Sequence, residues 1–239
     1  MDKETNIHFI TYATHSEGTF DKLIKNDFNI EIKVLGWGEK WKGFMDKFNN
    51  MYVYIQTLPD NDIVIFIDGF DSKINQSKDK IKKTFLEFNS DIVLSKDSLL
   101  PGPLGTFTKS SFGTCKNNIT ANSGLYAGYN KNIKELIKHI LDKNYSSDDQ
   151  RNLNYACKDF NNIKIDTDKK LFHNLNYYER YFNNKSEACF TSTPGDLTFN
   201  RLSRVPGEYL PFIWKELILV IFIIIIIYYI KKNKLLSFK

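Results

Sequence analysis

Residues 63–71 read Ile63-Val64-Ile65-Phe66-Ile67-Asp68-Gly69-Phe70-Asp71. The first five are apolar without alternation, so both faces of the segment are fit for burial. A central strand of a parallel sheet, covered by helices on each side, has that pattern. Asp68-Gly69 then breaks the strand with turn chemistry, and two carboxylates leave at its carboxyl end. In open α/β sheets ligands gather beyond that end.

The flanking sequence supports the same class. Upstream, Ile7 to Tyr12 reads as a strand, and Phe20, Leu23 and Ile24 recur at helical spacing. Ile30 to Leu35 reads as a second strand ending at Gly36-Trp37-Gly38, and Trp41, Phe44, Met45, Phe48, Tyr52 and Ile55 predict one long amphipathic helix. Downstream, Ile81, Phe85 and Phe88 mark a helix and Ile92 to Leu94 a buried strand. Residues 97–121 are rich in Gly, Pro, Ser and Thr and predict a long loop. Ser123 to Tyr129 returns to strand character. Asn132 with Glu135 predicts a capping box ahead of the apolar face of Ile133, Leu136, Ile137, Ile140 and Leu141. Ser147 and Gln150 predict the start of a helix carrying Leu153 and Phe160. Ile163 to Ile165 is a late strand, and residues 173–210 read as aromatic and irregular. Alternating strands and helices predict an α/β fold with a mostly parallel sheet flanked by helices. No internal repeat is visible.

The chain has 239 residues and a formal net charge of +5. Residues 231–239 hold four lysines and no acid, so all but one unit of that charge belongs to the terminus. No basic stripe interleaved with aromatics tracks a phosphate backbone, which argues against a nucleic-acid partner. Runs of Lys, Asn and Ile suggest an A/T-rich genome, as in large DNA viruses and protists. Cys115, Cys157 and Cys189 lie far apart without C-x-x-C spacing. That pattern predicts three free thiols in a reducing compartment, the alternative being one disulfide and one thiol.

Leu217 to Ile230 carries no charge, and Phe212, Ile213 and Trp214 extend it backwards. Lys215 and Glu216 could snorkel. Trp214, Tyr228 and Tyr229 stand as interfacial anchors, with Lys231-Lys232 closing the segment. The reading is a transmembrane helix, the alternative a buried or interfacial one. It divides the chain into a domain at 1–210, a span at 211–232 and a basic tail at 233–239. Met1 to Asn6 is polar and gives no signal region. The expectation is a single-pass protein held by its C-terminal helix, its domain in the cytosol.

Three segments carry candidate chemistry. Asp68 and Asp71 could converge on a hard divalent cation, Mg²⁺ or Mn²⁺, whose shell a substrate diphosphate completes. The alternative is an Asp-Gly turn that closes a strand. Asn122-Ser123-Gly124 opens a strand with small residues that admit a ligand to the backbone, or that merely pack. Ser147-Asp148-Asp149-Gln150 could place a carboxylate against a sugar, or could complement a helix dipole. His8 reads as packed and His139 as exposed.

In order, these segments resemble the glycosyltransferase domain of the procollagen lysyl hydroxylases and their viral relatives, over residues about 7–180. Ala13-Thr14 ends the first strand as in that family. Val34-Leu35-Gly36-Trp37-Gly38-Glu39-Lys40-Trp41-Lys42-Gly43 resembles its V-L-G-x-G-E-x-W-x-G run. Lys47, the D-x-x-D pair Asp68 and Asp71 around Phe70, the N-S-G-x-x-x-G segment Asn122 to Gly128, and Asp148-Asp149-Gln150 follow.

The resemblance implies a GT-A-type fold that takes a UDP-sugar and Mn²⁺ (or Mg²⁺) and transfers galactose or glucose to an acceptor hydroxyl, hydroxylysine-like, on a protein or glycan. Asp68 and Asp71 would hold metal and diphosphate. Ala13, Thr14, Phe70, Ser123 and Gly124 would line the nucleotide side. Lys47, Asn122, Asp148 and Asp149 would lie around the sugar. The family's third metal ligand, a His, has no counterpart in Thr191-Ser192-Thr193-Pro194-Gly195-Asp196, and His173 stands out of register. Asp196 or water would replace it. The hydroxylase domain is absent, so hydroxylation is not implied. The rival class is a membrane-anchored nucleotide-sugar or glycan binding module that has lost turnover.

Overall fold

A computed structural model describes residues 5–98, 103–182, 185–194 and 199–236. The chain alternates through β1 (Ile7–Tyr12), α1 (Phe20–Ile24), β2 (Ile32–Leu35), α2 (Asp46–Ile55), β3 (Ile63–Ile67), β4 (Ser72–Ile74), α3 (Lys78–Glu87), β5 (Ile92–Lys96) and α4 (Pro103–Phe112). It continues through β6 (Ala121–Tyr129), α5 (Asn130–Lys143), α6 (Asp149–Ala156), β7 (Ile163–Asp166), β8 (Phe172–Asn174), α7 (Tyr177–Phe182), β9 (Phe190–Ser192) and α8 (Phe199–Leu236).

Six strands form the main sheet in the order β2-β1-β3-β6-β5-β7, and β4-β9-β8 form a small second sheet. The main sheet is parallel except for β6, which runs antiparallel to both β3 and β5. β3 sits in the middle with all five residues buried. Val64 and Phe66 face one apolar cluster with Phe48, Met51, Tyr126, Leu136 and Ile140, on the side of α2, α5 and α6. Ile63, Ile65 and Ile67 face the other, with Leu23, Ile81, Phe85 and Phe190. The unalternated run is therefore buried on both faces, each large side chain contributing about 1.5–3 kcal/mol.

Several elements differ from the sequence expectations for local reasons. The long helix begins at Asp46, not Trp41, because Gly36, Gly38 and Gly43 all take positive φ and keep the preceding chain open. Trp41 packs instead on Tyr12 and Phe44. β2 begins at Ile32 because the Asn26 side chain claims the backbone of Ile30, accepting from its N–H and donating to its carbonyl. The capping box at Asn132 does not form. β6 runs straight into α5 at Asn130, whose amide donates to the carbonyls of Ile55, Leu58 and Pro59. Asn132 turns to Asp91. Asp148, not Ser147, caps α6 by accepting from the Arg151 N–H at 2.7 Å. The expected loop at 97–121 contains α4, with a proline in its first turn where the missing N–H costs nothing. The stretch after 173 holds β8, α7, β9 and the start of α8. His8 is packed as expected, against Asp62. His139 is half-buried, not exposed: it pairs with Asp159 and meets the Phe160 ring edge-on.

The free-thiol expectation is overturned for two cysteines. Cys115, after α4, and Cys157, at the end of α6, form a disulfide across 42 residues of chain, while buried Cys189 is free. Sequence spacing carried no sign of it, because tertiary packing of α4 beside α6 brings the two together. A disulfide belongs to oxidising surroundings, so the expectation of a reducing compartment loses its basis.

In α8, Ile213–Lys232 is long and apolar enough to cross a membrane by length and composition, and from Ile218 to Ile230 it is exposed. The helix begins well before that span, and the span's first turn meets α6, where Arg151 pairs with Glu216 at 3.6 Å.

Candidate active site

The site is assembled by the single antiparallel strand. Because β6 runs against β3, its first residues lie beside the carboxyl end of β3, and the Asp68 N–H donates to the Gly124 carbonyl at 2.7 Å. A parallel β6 would carry Asn122-Ser123-Gly124 to the opposite edge. Against β5 the register jumps, from Leu94 opposite Tyr126 to Ser95 opposite Asn122, so β6 bulges over Ser123, Gly124 and Leu125. Such bulges re-aim side chains at sheet edges. A Cβ on Gly124 would stand 3.2 Å from the Asp68 Cβ and 3.0 Å from Asn122 Oδ1, so the absent side chain keeps that face of Asp68 open.

Beside the bulge lies a closed polar cluster. Lys47, from α2, forms an ion pair with Asp149, the first residue of α6. The Lys47 ammonium also donates to Ser123 Oγ at 3.0 Å, and Ser123 Oγ donates to Asp149 Oδ2 at 2.6 Å. Phe66 and Phe48 rings lie under the ammonium. Asn122 accepts from the Gly124 N–H and donates to Gln150 Oε1 at 3.2 Å. Gln150 in turn donates to Asp97 Oδ2 at 3.0 Å. Asn154 fixes the start of β6 by pairing with both the N–H and the carbonyl of Ala121. Burial pushes the Asp97 carboxyl up to about 6, against the hydrogen bonds of Ser98, Gln150 and Asn122. Burial and the neighbouring Asp149 charge push Asp148 up to about 8.

On the other flank Asp68 Oδ1 accepts from the Phe70 N–H at 3.0 Å. Asp71 is buried, not at a solvent-facing edge. Its Oδ1 accepts from Ser192 at 2.8 Å and Ser72 at 3.3 Å, tying β3's exit to β9. Gly69 is pressed against Thr11 and Ala13, which seats Ala13 and Thr14 alongside the Asp68 turn. The Thr14 carbonyl accepts from the Gly38 N–H and its hydroxyl pairs with His15, whose ring meets Phe70 at 5.5 Å.

Of the residues singled out in the sequence, Lys47, Ser123 and Asp149 are bonded into one cluster, Asn122 stands beside it with its own bonds to Gln150 and the Gly124 N–H, and Asp68 adjoins through Gly124. Asp148 is spent on capping α6. Asp196 lies outside the described residues, and no group of three His, Cys, Asp or Glu able to hold a metal occurs among the described residues. The chemistry of the pair still suits a hard cation: two carboxylates on one turn leave positions for water and diphosphate oxygens. Sequence reading missed Asp97 and Ser192. The first was legible as the acid directly after the β5 strand. The second was not, because its partner lies 121 residues away.

The fold is that of GT-A glycosyltransferases. A crystal structure of a glycosyltransferase involved in glycosylation of the major capsid of PBCV-1 matches with a TM-score of 0.52 at 10% identity, covering 83% of this chain and 98% of that one. The galactosyltransferase LgtC, solved with donor and acceptor sugar analogs, matches with a TM-score of 0.50 at 12% identity, covering 86% and 96%.

Residues 3–190 match the family model of the PLOD GT domain, and the chain belongs to that family of glycosyltransferase domains. It is 27% identical over 196 residues to the multifunctional procollagen lysine hydroxylase and glycosyltransferase of Caenorhabditis elegans, covering 70% of this chain and 25% of that protein. It is 24% identical over 190 residues to procollagen-lysine,2-oxoglutarate 5-dioxygenase 1 of Gallus gallus, covering 73% and 26%. The matched region thus spans about a quarter of these relatives.

Proposed function

We propose that this domain transfers a hexose, galactose or glucose, from a UDP-sugar to an acceptor hydroxyl with the help of Mn²⁺ or Mg²⁺. The observation that carries the reading is the junction of Asp68 with the Lys47–Ser123–Asp149 cluster through the Gly124 backbone. Asp68 and Asp71 would hold the cation, which when bound neutralises charge on the departing diphosphate. Ala13, Thr14 and Phe70 would line the nucleotide. Asn122 and Asp149 would take sugar hydroxyls, and Lys47 would hold Asp149 in place and keep its charge compensated. The acceptor oxygen bonds to the anomeric carbon as the bond from that carbon to the diphosphate oxygen breaks, and the hydroxyl proton leaves to water or diphosphate. The span in α8 would anchor the domain on a membrane, with protein or glycan acceptors within reach.

Isothermal titration of UDP with and without Mn²⁺, paired with assays of UDP release from UDP-galactose and UDP-glucose, tests this. Metal-dependent binding with turnover is the expected result. The missing counterpart of the family's third metal-ligand His in Thr191 to Asp196 favours a second reading, a binding module without turnover. Binding of UDP without release from either sugar would select it.

A further inference from the structure

The start of α8 is not a free tether. α8 packs against α4, and Glu216, in the first turn of the apolar span, pairs with Arg151 in the first turn of α6. Glu216 is the last charged residue before the uncharged run Leu217 to Ile230. A charge deeper in the hydrocarbon is costly, so Glu216 marks the level at which a spanning helix enters it. The ion pair then sets the surface of α6 around Arg151 at the level of the headgroups.

That surface has the composition of a membrane-interface belt. The Arg151 guanidinium and the Lys158 ammonium lie over the Tyr155 ring, at 5.9 and 5.4 Å from its centroid. Tyr145 meets the same ring edge-on at 5.5 Å. Tyr145 is 45% exposed, and Lys143 and Lys158 are exposed with it. The neighbouring acids have their own partners, Asp142 in Lys138 and Asp159 in His139. Among the described residues no carboxylate pairs with Lys143 or Lys158. On α8 the Lys215 ammonium lies 5.5 Å from the Trp214 ring and repeats the combination. Amphipathic rings beside cations suit a layer that is apolar below and wet above, and the cations suit anionic lipids.

We propose that the face of Tyr145, Arg151, Tyr155 and Lys158 docks on the bilayer that α8 spans, with Lys143 and Lys158 against anionic headgroups. Docking would hold the start of α6, and Asp149 with it, at the membrane surface. The proposal rests on the reading of α8 as a span and not on the transferase reading. The full chain in liposomes of phosphatidylcholine, with and without phosphatidylglycerol, tests it. Flotation that resists alkaline carbonate reads the span. Mass spectrometry of acylation by a water-soluble ester reads the docking, with Lys83, exposed on α3 across the sheet, as internal reference. Relative to Lys83, Lys158 should react about fivefold more slowly in the anionic liposomes than in the neutral ones, the effect of one cation near an anionic surface. Tyr145→Ser, at an exposed position, should bring Lys158 most of the way back. Flotation through carbonate with the two lysines reacting alike in both liposomes overturns the docking and leaves the span. Release by carbonate overturns the span and the docking with it. Slowing of Lys158 that grows with the protein-to-lipid ratio marks contact between copies of the chain and overturns the docking as well.

Discussion

The two walls of the candidate site treat their charge differently. Asp149 sits on the α6 wall and has its counter-ion beside it in Lys47, with Ser123 bonded to both. Asp68, on the β3 wall, accepts from the Phe70 N–H, a neutral donor that orients a carboxylate without cancelling its charge, and Asp71 beside it is held among other contacts by the Ser192 and Ser72 hydroxyls. The α6 wall is built to stay as it is. At Asp68 the β3 wall has charge to offer a ligand.

The largest effect that would sharpen this contrast is reduction of the disulfide, which staples α6 to the loop after α4. Closing a loop of this length is worth about 4 kcal/mol in the chain-entropy account. Urea unfolding of oxidised and reduced protein should differ by that order. Coincident curves would mean that α6 is held by packing alone.

Next is the ion pair itself. Lys47→Met leaves Asp149 buried without a counter-ion and should cost about 3 kcal/mol, whereas Lys47→Met with Asp149→Asn should regain most of it. Asp68→Asn should cost far less stability. Equal losses for Lys47→Met and Asp68→Asn would erase the distinction between the walls.

The reverse experiment concerns ligand. Asp71→Asn should weaken Mn²⁺-dependent UDP binding by about 100-fold, or about 2.7 kcal/mol. Because Asp71 is buried and bonded to Ser192, a stability cost of about 1 kcal/mol accompanies it. Calorimetry and denaturation on one sample separate the two. Unchanged metal-dependent affinity would reduce the Asp68–Asp71 turn to a device for closing β3.

Local pattern carried the reading where the chemistry is local. The Ile63 to Ile67 run announced a strand buried on both faces, and Asp68, Asp71, Asn122 and Asp149 each stood at a recognisable element end. What stayed hidden depends on partners far along the chain. No pattern in residues 121–129 says that β6 runs antiparallel, yet that direction brings Gly124 to Asp68. The Cys115–Cys157 bond needs the packing of α4 on α6. Asp148 and Asp149 look equivalent as a pair, and only the start of α6 at Asp149 decides that one caps and the other faces Lys47.

That division of labour gives the last and finest test. Asp148 is held protonated by burial and by the Asp149 charge, its pKa raised to about 8 from 3.8. Below about pH 4 it is protonated folded or unfolded and carries no penalty. As pH rises toward 8 the unfolded chain releases this proton while the folded chain keeps it, so stability falls across that window. Asp148→Asn does not titrate and retains the oxygen that accepts from the Arg151 N–H. Near pH 4 it should therefore match the wild type, and by pH 8 it should exceed it. Asp148→Ala should gain in the same direction with pH but sit lower throughout by about 1 kcal/mol, the worth of the cap. Asp97 also weakens the fold as pH rises toward 6, but all three proteins share it and it cancels from the difference. Unfolding free energies measured at intervals from pH 4 to 8 give that difference. A wild-type curve running parallel to that of Asp148→Asn would show Asp148 ionised in the fold, and with it two like charges at the start of α6 that Lys47 alone would have to balance.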